Sequence, residues 1–159
     1  MDNWPESVER VAAFLVAHGA EARIEELSQD TATAADAAEA VGAEQAAIVK
    51  SLVAICDGSP VVALVPGDRR ADLAKVARAA GAAEARIARA AEVEEFTGFT
   101  PGAVAPFPLP KVTAMLVENT LLAQELVWIG AGSTRHLAVL PAAELVRLTK
   151  ARPADLVEV

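Results

Sequence analysis

The feature that most narrows the fold is a pair of apolar, β-rich runs, AIVKSLVAIC and PVVALV, divided by Asp57-Gly58-Ser59. Two such runs around a turn signal form a hairpin, and their hydrophobicity places it in the core sheet. Upstream, Pro5-Glu6 opens a segment with Val8, Val11, Ala12 and Leu15 at spacings of three and four, an amphipathic helix that ends before Gly19. Ala22 to Leu27 reads as a short strand, and Thr33 with Asp36 forms a capping box for an Ala-rich helix that Gly42 stops. Asp68 is expected to cap a helix from about Ala71 to Ala80 that buries Leu73, Val76 and Ala77. Glu92 to Thr97 supplies one more helical turn or two. Towards the C-terminus, VTAMLV and LVWIG read as strands, Ala131-Gly132-Ser133 as a turn, HLAVL as the returning strand and Ala142 to Thr149 as a closing helix.

No internal period and no low-complexity linker divides the 159 residues, so one compact domain is expected. Its fold class is mixed α/β, with a central mixed, largely antiparallel sheet flanked by helices. At 53% hydrophobic and only 4% aromatic, the core is built from Ala, Val, Leu and Ile. No apolar run reaches the ~18 residues of a membrane span, and Met1 to Pro5 lacks a basic-then-apolar signal, so no membrane partner and a cytoplasmic location are expected. A formal charge of −8 argues against non-specific phosphate neutralisation as a way of gripping nucleic acid. One cysteine, Cys56, excludes an internal disulfide, and the two histidines, His18 and His136, make no zinc site. Neither a metal nor another cofactor is expected.

Chemistry concentrates in two places. Lys50 interrupts an apolar strand, which is costly unless its ammonium reaches solvent, a partner or an anionic ligand. It either snorkels to the sheet edge or stands as a cation at a pocket wall. The segment GFTPGAVAPFPLP, 98 to 110, holds four prolines and two glycines and is neither a regular helix nor a central strand. In such a loop of fixed shape, exposed amides bind a carbonyl oxygen or an anion, although Gly/Pro loops often do no more than turn the chain.

Taken together and in order, IVKSLV with Lys50, VALVPGDRRADLAKVA, TGFTPGAVAP with its G-x-x-x-G-x-x-x-P spacing at Gly98, Gly102 and Pro106, and WIGAGSTRHLAVL resemble the YbaK-type and prolyl-tRNA-synthetase-associated editing domains. The resemblance covers nearly the whole chain and implies a YbaK-like fold and a single aminoacyl-tRNA deacylase domain over 1–159. The implied reaction is hydrolysis of the ester that joins a wrong amino acid to the terminal adenosine of tRNA, chiefly tRNA for proline. Alanine is the first choice of amino acid. The implied partners are the aminoacyl-tRNA end and, as a candidate, prolyl-tRNA synthetase.

The same resemblance implies that Lys50 contacts the substrate end and that Gly102, in a loop bounded by Gly98 and Pro106, orients the aminoacyl carbonyl through backbone amides. It puts His136 where the alanine-clearing branch carries a histidine, whereas a lone strand histidine is otherwise structural. No aspartate lies between Gly130 and Leu140, which departs from the cysteine-clearing branch. Thr33, Gly132 and Ser133 are expected at the pocket rim, each equally readable as a cap or turn residue. Ser51 should point to the sheet face opposite Lys50 and touch substrate through its backbone. The chain nominates no Ser-His-Asp set and no Cys-His pair, a poverty of bases that suits substrate-assisted attack on an activated ester. Two rival readings remain: a binding module that recognises the aminoacyl-adenosine end or a synthetase without turnover, and an ester hydrolase acting on a small nucleotide conjugate.

Overall fold

A computed structural model describes residues 3–31 and 33–159, so Met1 and Asp2 of the expected leaderless terminus lie outside the described residues. The hairpin is β2 (Val49–Cys56) and β3 (Ser59–Pro66), in register from Val49 opposite Pro66 to Cys56 opposite Ser59. Asp57 and Gly58 both have positive φ, 49° and 86°, as the type I′ turn that matches strand twist requires. The hairpin is the middle of a five-stranded sheet in the order β4-β2-β3-β5-β8, with β4 at Ala85–Ile87, β5 at Ala114–Glu118 and β8 at Arg152–Ala154. Pairing of β2 with β3 and β4 is antiparallel, whereas β3 with β5 and β5 with β8 are parallel.

A second sheet has three antiparallel strands in the order β1-β7-β6, with β1 at Arg23–Glu26, β6 at Leu126–Ser133 and β7 at His136–Pro141. The mixed α/β architecture is as expected; its division between two sheets is not visible in the strand pattern alone. β6 runs on through Ala131-Gly132-Ser133 and turns at Thr134-Arg135, after a register irregularity between Gly130 and Ser133. The turn falls later than the glycine suggests because Gly132 takes its positive φ, 103°, within the strand irregularity.

Alternation sorts the packing. Val49, Val53 and Ile55 of β2 with Val62 and Leu64 of β3 meet Val127, Ile129, Ala138 and Leu140 of the small sheet in the main core. On the other face of the large sheet, Ala54, Cys56, Val61, Ala63 and Val65 pack against Val76 of α3 (Leu73–Ala80) and against Leu156 and Val157. Cys56 is a buried thiol in that layer. Helix α1 (Glu6–Ala17) buries Val8, Val11 and Leu15, and α2 (Ala34–Val41) covers the outer face of the small sheet through Ala37, Ala38, Leu137 and Trp128. Thr33 caps α2 by accepting from the Asp36 amide at 3.0 Å, and Gly42 ends it at φ 69°. The cap of α3 is Asp72, which accepts from the Ala74 and Lys75 amides, and not Asp68. Residues before Asp72 are drawn instead to the C-terminal segment, with Ala71 bridging Val157 and the Asp72 amide donating to Leu156 O. Helices α4 (Ala90–Thr97) and α5 (Ala142–Thr149) complete the shell, and among the described residues no helix is long and apolar enough to cross a membrane.

One buried charge fastens the C-terminal segment. Glu118, 2% exposed, accepts from the Leu156 amide at 2.9 Å and the Thr120 amide at 2.7 Å. Burial alone would raise its pKa, but these donors stabilise the carboxylate and hold it below the ordinary carboxyl range. A depressed carboxyl contributes stability above its unfolded value of about 4.3, and loses it as pH falls through the native value. Glu118→Ala should therefore cost about 1–3 kcal/mol at neutral pH in denaturant unfolding, by stranding two amides. The gap from wild type should narrow below about pH 4; a gap unchanged between pH 7 and pH 3 would contradict this account.

Candidate active site

At the start of β2 the two sheets part and leave a pocket of about 480 Å³. Its walls come from α2 (Ala34, Ala35, Ala37), the β2 entry (Ile48 to Ser51), Gly67, the loop residues Gly102 to Val104, and the β6–β7 hairpin (Gly130, Ser133, Thr134, Leu137). The chain approaches itself closely here. A Cβ on Gly67 would lie 2.6 Å from Ala34 Cβ and 2.8 Å from Gln45 O, and one on Gly130 would lie 3.1 Å from Val104 O. A second depression of about 520 Å³, between α3 and β4, holds none of the expected site residues.

Of the expected site residues, Lys50, Ser51, Gly102, Thr33 and Ser133 converge on this pocket. Lys50 and Ser51 both line it although alternation sends them to opposite faces of β2, because the pocket sits at the strand's open end. The Lys50 ammonium donates to Arg69 O at 2.7 Å. Burial pushes its pKa below the ordinary lysine value and Arg70 adds to that, while Asp68 opposes both. Lys50 is thus a half-buried cation at the wall, held by one carbonyl.

Gly102 lies in a tight turn from Thr100 to Ala103, closed by the Ala103 amide on Thr100 O at 3.0 Å. Pro101 followed by glycine at φ 83° is the type II pattern, which only glycine adopts without strain. The turn uses the Ala103 amide, whereas the Gly102 N–H meets no acceptor among the described residues. A fixed, unpartnered amide in a pocket wall is what an oxyanion requires.

His136 does not line the pocket. On β7 it shares a face with Ala138 and Leu140, turned towards α1, while its neighbour Leu137 takes the pocket side. Its ring, 3% exposed, packs edge-on against Trp4 at a centroid distance of 5.5 Å. The link to the pocket is Ser133, whose Oγ lies 2.6 Å from His136 Nδ1 and accepts from the Arg135 amide at 3.0 Å. Nε2 lies 3.8 Å from the Glu26 carboxylate, beyond hydrogen-bond reach, and an Nε2–H tautomer would let Nδ1 accept from the Ser133 hydroxyl. In that tautomer the Ser133 proton is engaged by Nδ1, and its oxygen keeps a lone pair for another donor.

Gly98, Pro106 and Gly132 are likewise absent from the pocket wall. Gly98 is the left-handed cap that ends α4, at φ 74°, and both it and Gly132 are pressed by α1. Their glycines answer to packing behind the loops, which sequence spacing does not separate from close approach to a ligand. Gln45, Gly67, Ala34 and Thr31 were missed as lining residues. Gly67 carried a signal, a glycine just after a strand end, whereas small residues in a helix carry none.

Comparison with known proteins gives the family of the chain. The model of the aminoacyl-tRNA editing domain matches residues 28–148, which contain every pocket-lining residue. The chain belongs to that family, the YbaK family. A crystal structure of a candidate trans-editing enzyme for prolyl-tRNA synthetase superposes with a TM-score of 0.92 at 37% identity, covering 99% of this chain and 100% of that one. The crystal structure of the hypothetical protein APE2540 does so at 0.87 and 33%, over 94% and 99%. Among curated proteins, EbsC of Enterococcus faecalis (strain ATCC 700802 / V583), a candidate Cys-tRNA(Pro)/Cys-tRNA(Cys) deacylase, is 27% identical over 130 residues, 81% of this chain and 79% of that protein.

The burial of His136 gives a pH signature. Desolvation lowers its pKa and Glu26 only partly restores it. A histidine depressed on folding leaves the unfolded chain binding more protons, so stability falls as pH drops below the ordinary value of about 6.5. Melting of wild type should lose more between pH 7.5 and pH 5.5 than melting of His136→Gln; equal losses would show that His136 is not held neutral.

Proposed function

We propose that this chain, as one unit over 1–159, hydrolyses the ester of misacylated tRNA in trans, removing a small non-cognate amino acid, alanine first, from tRNA for proline. The observation that carries the reading is the meeting of Lys50, the Gly102 backbone and the Ser133 hydroxyl around one pocket in a chain of the editing family. In the reaction water adds to the ester carbonyl carbon, the bond from that carbon to the ribose oxygen breaks, and the proton lost by water ends on the ribose oxygen. The products are free amino acid and tRNA with an intact terminal adenosine.

Each pocket group has a part. In this reading the Gly102 N–H donates to the carbonyl oxygen as it becomes an oxyanion, and its fixed turn means that no reorganisation is needed at that moment. Lys50 adds positive potential near the negative terminal nucleotide. Ser133, kept an acceptor by Arg135 and His136, suits the α-ammonium of the amino acid or the attacking water. His136 is a positioning residue that acts through Ser133. Ser51 and Thr33 contribute wall and rim. Ala34, Ala37, Ile48 and Leu137 give the wall an apolar part, which supports a small aliphatic amino acid over a polar one.

No histidine or carboxylate stands among the described pocket-lining residues, so proton transfer falls to the substrate's own groups and to Ser133. That poverty also favours the second reading, a module that binds the aminoacyl-adenosine end or a synthetase without turnover. The charge of −8 supports a further expectation, that prolyl-tRNA synthetase presents the tRNA; fast deacylation unaffected by added synthetase would reject it.

The test is deacylation of alanyl-, cysteinyl-, seryl-, threonyl- and prolyl-tRNA for proline. Rapid loss of the alanyl ester, reduced about a hundredfold or more in Lys50→Ala, is expected. Preference for the cysteinyl ester would reassign the substrate, and binding without turnover of any ester would establish the module.

A further inference from the structure

Among the described residues, three buried polar atoms without a hydrogen-bond partner, Trp4 Nε1, Arg10 Nε and His136 Nε2, lie where α1 and the residues before it meet the back of the pocket loops. The same region holds two glycines with close neighbours. A Cβ on Gly132 would stand 2.7 Å from Ser7 O and 3.1 Å from Val8 N, and one on Gly98 would stand 2.9 Å from Arg10 Nη1. At Gly132 the backbone of α1 presses directly on the loop, and at Gly98 the Arg10 guanidinium does.

Polar ties accompany the pressure. Ser7 Oγ donates to Gly132 O at 2.7 Å, across 125 residues of sequence. One turn further along the helix, Arg10 Nη2 donates to Gly98 O at 2.8 Å, and the guanidinium lies over the buried Phe99 ring at 4.8 Å from its centroid. Each tied carbonyl roots a loop whose far side is pocket wall. Gly98 and Phe99 lead into the Thr100–Ala103 turn that presents the Gly102 amide, and Gly132 immediately precedes Ser133. Across the pocket the two loops meet at Val104 O and Gly130, so a shift of either root changes the separation of the groups they carry.

We propose that α1 is a positioning strap, in which Ser7 and Arg10 hold the roots of the Gly102 and Ser133 loops and thereby fix the distance between the oxyanion donor and the lone-pair acceptor. Neither residue touches the pocket, so both are positioning residues. Helix α1 also precedes the segment, 28–148, that the family model matches. Donors displaced by tenths of an ångström lose transition-state stabilisation while ground-state contacts adjust, so the effect belongs on kcat more than on KM.

The catalytic half of this inference rests on the reaction proposed above, and two measurements separate the failures. By amide hydrogen exchange, Arg10→Met should speed exchange at 99–104 and 131–135 while β2 and β3 stay as protected as in wild type. Unchanged exchange in those loops, or acceleration spread evenly over the molecule, overturns the strap whatever the enzyme's activity. In deacylation of the ester that wild type cleaves, Arg10→Met should lower kcat about tenfold with KM within about twofold. Arg10→Lys, which retains a donor for Gly98 O, should recover part of the loss, and Ser7→Ala should lose less than Arg10→Met. A loss confined to KM, or Arg10→Lys as impaired as Arg10→Met, overturns the positioning role. Failure of wild type to cleave any ester overturns the proposed reaction and leaves the exchange result to decide the strap.

Discussion

The structure depends on the packing of two sheets of different pairing through one layer of small and branched aliphatic side chains. Val53, Ile55, Val62 and Leu64 on one side and Val127, Ile129, Ala138 and Leu140 on the other are all buried, and their contact sets how far apart the sheets stand. Close packing on this scale tolerates little change in volume. The pocket lies where that layer ends, at the entry of β2, so its walls inherit the rigidity of the core beside it. Glycines at 67 and 130 let backbone replace side chain at the narrowest points, which leaves room for a ligand without loosening the scaffold.

The site's electrostatics follow from the same arrangement. An acidic chain presents one half-buried lysine at the pocket, with Asp68 and Arg70 close enough to perturb it in opposite senses. Local positive potential of this kind recognises the end of a nucleic acid without a basic face to grip its length. In the proposed reaction the remaining chemistry falls to backbone and hydroxyl: the Gly102 amide, without an acceptor among the described residues, and Ser133, whose oxygen lies 2.6 Å from a buried imidazole nitrogen. Neutral groups fixed in place cost no reorganisation during reaction, which suits an activated ester better than it would an amide.

Much of this was legible in one sequence. The β2–β3 hairpin, the boundaries of α5, the Thr33 cap and the rigid loop at 98–110 follow from local rules, because turn residues and caps act within a few positions of themselves. Short elements escaped: β4 and β8 have three residues each, and their existence is set by the strands beside them. Asp68 and Asp72 are equally good caps on paper. Contacts of the C-terminal segment with 71 and 72 decide between them.

The site divides in the same way. Residue order determined that Lys50, Gly102 and Ser133 belong to three ordered motifs, and the chemistry of lysine, a positive-φ glycine and a hydroxyl determined what each offers. Which of the conspicuous residues face the ligand was decided by tertiary structure alone. Gly98 and Gly132 look like loop glycines next to substrate, yet α1 occupies the space their missing Cβ atoms leave. His136 looks catalytic, yet strand alternation and the pairing of β7 between β1 and β6 put its ring behind the wall, joined to the pocket through Ser133. A sequence records which residues are close along the chain; which face of a strand or loop meets a helix more than 100 residues away is fixed only when the sheets pack.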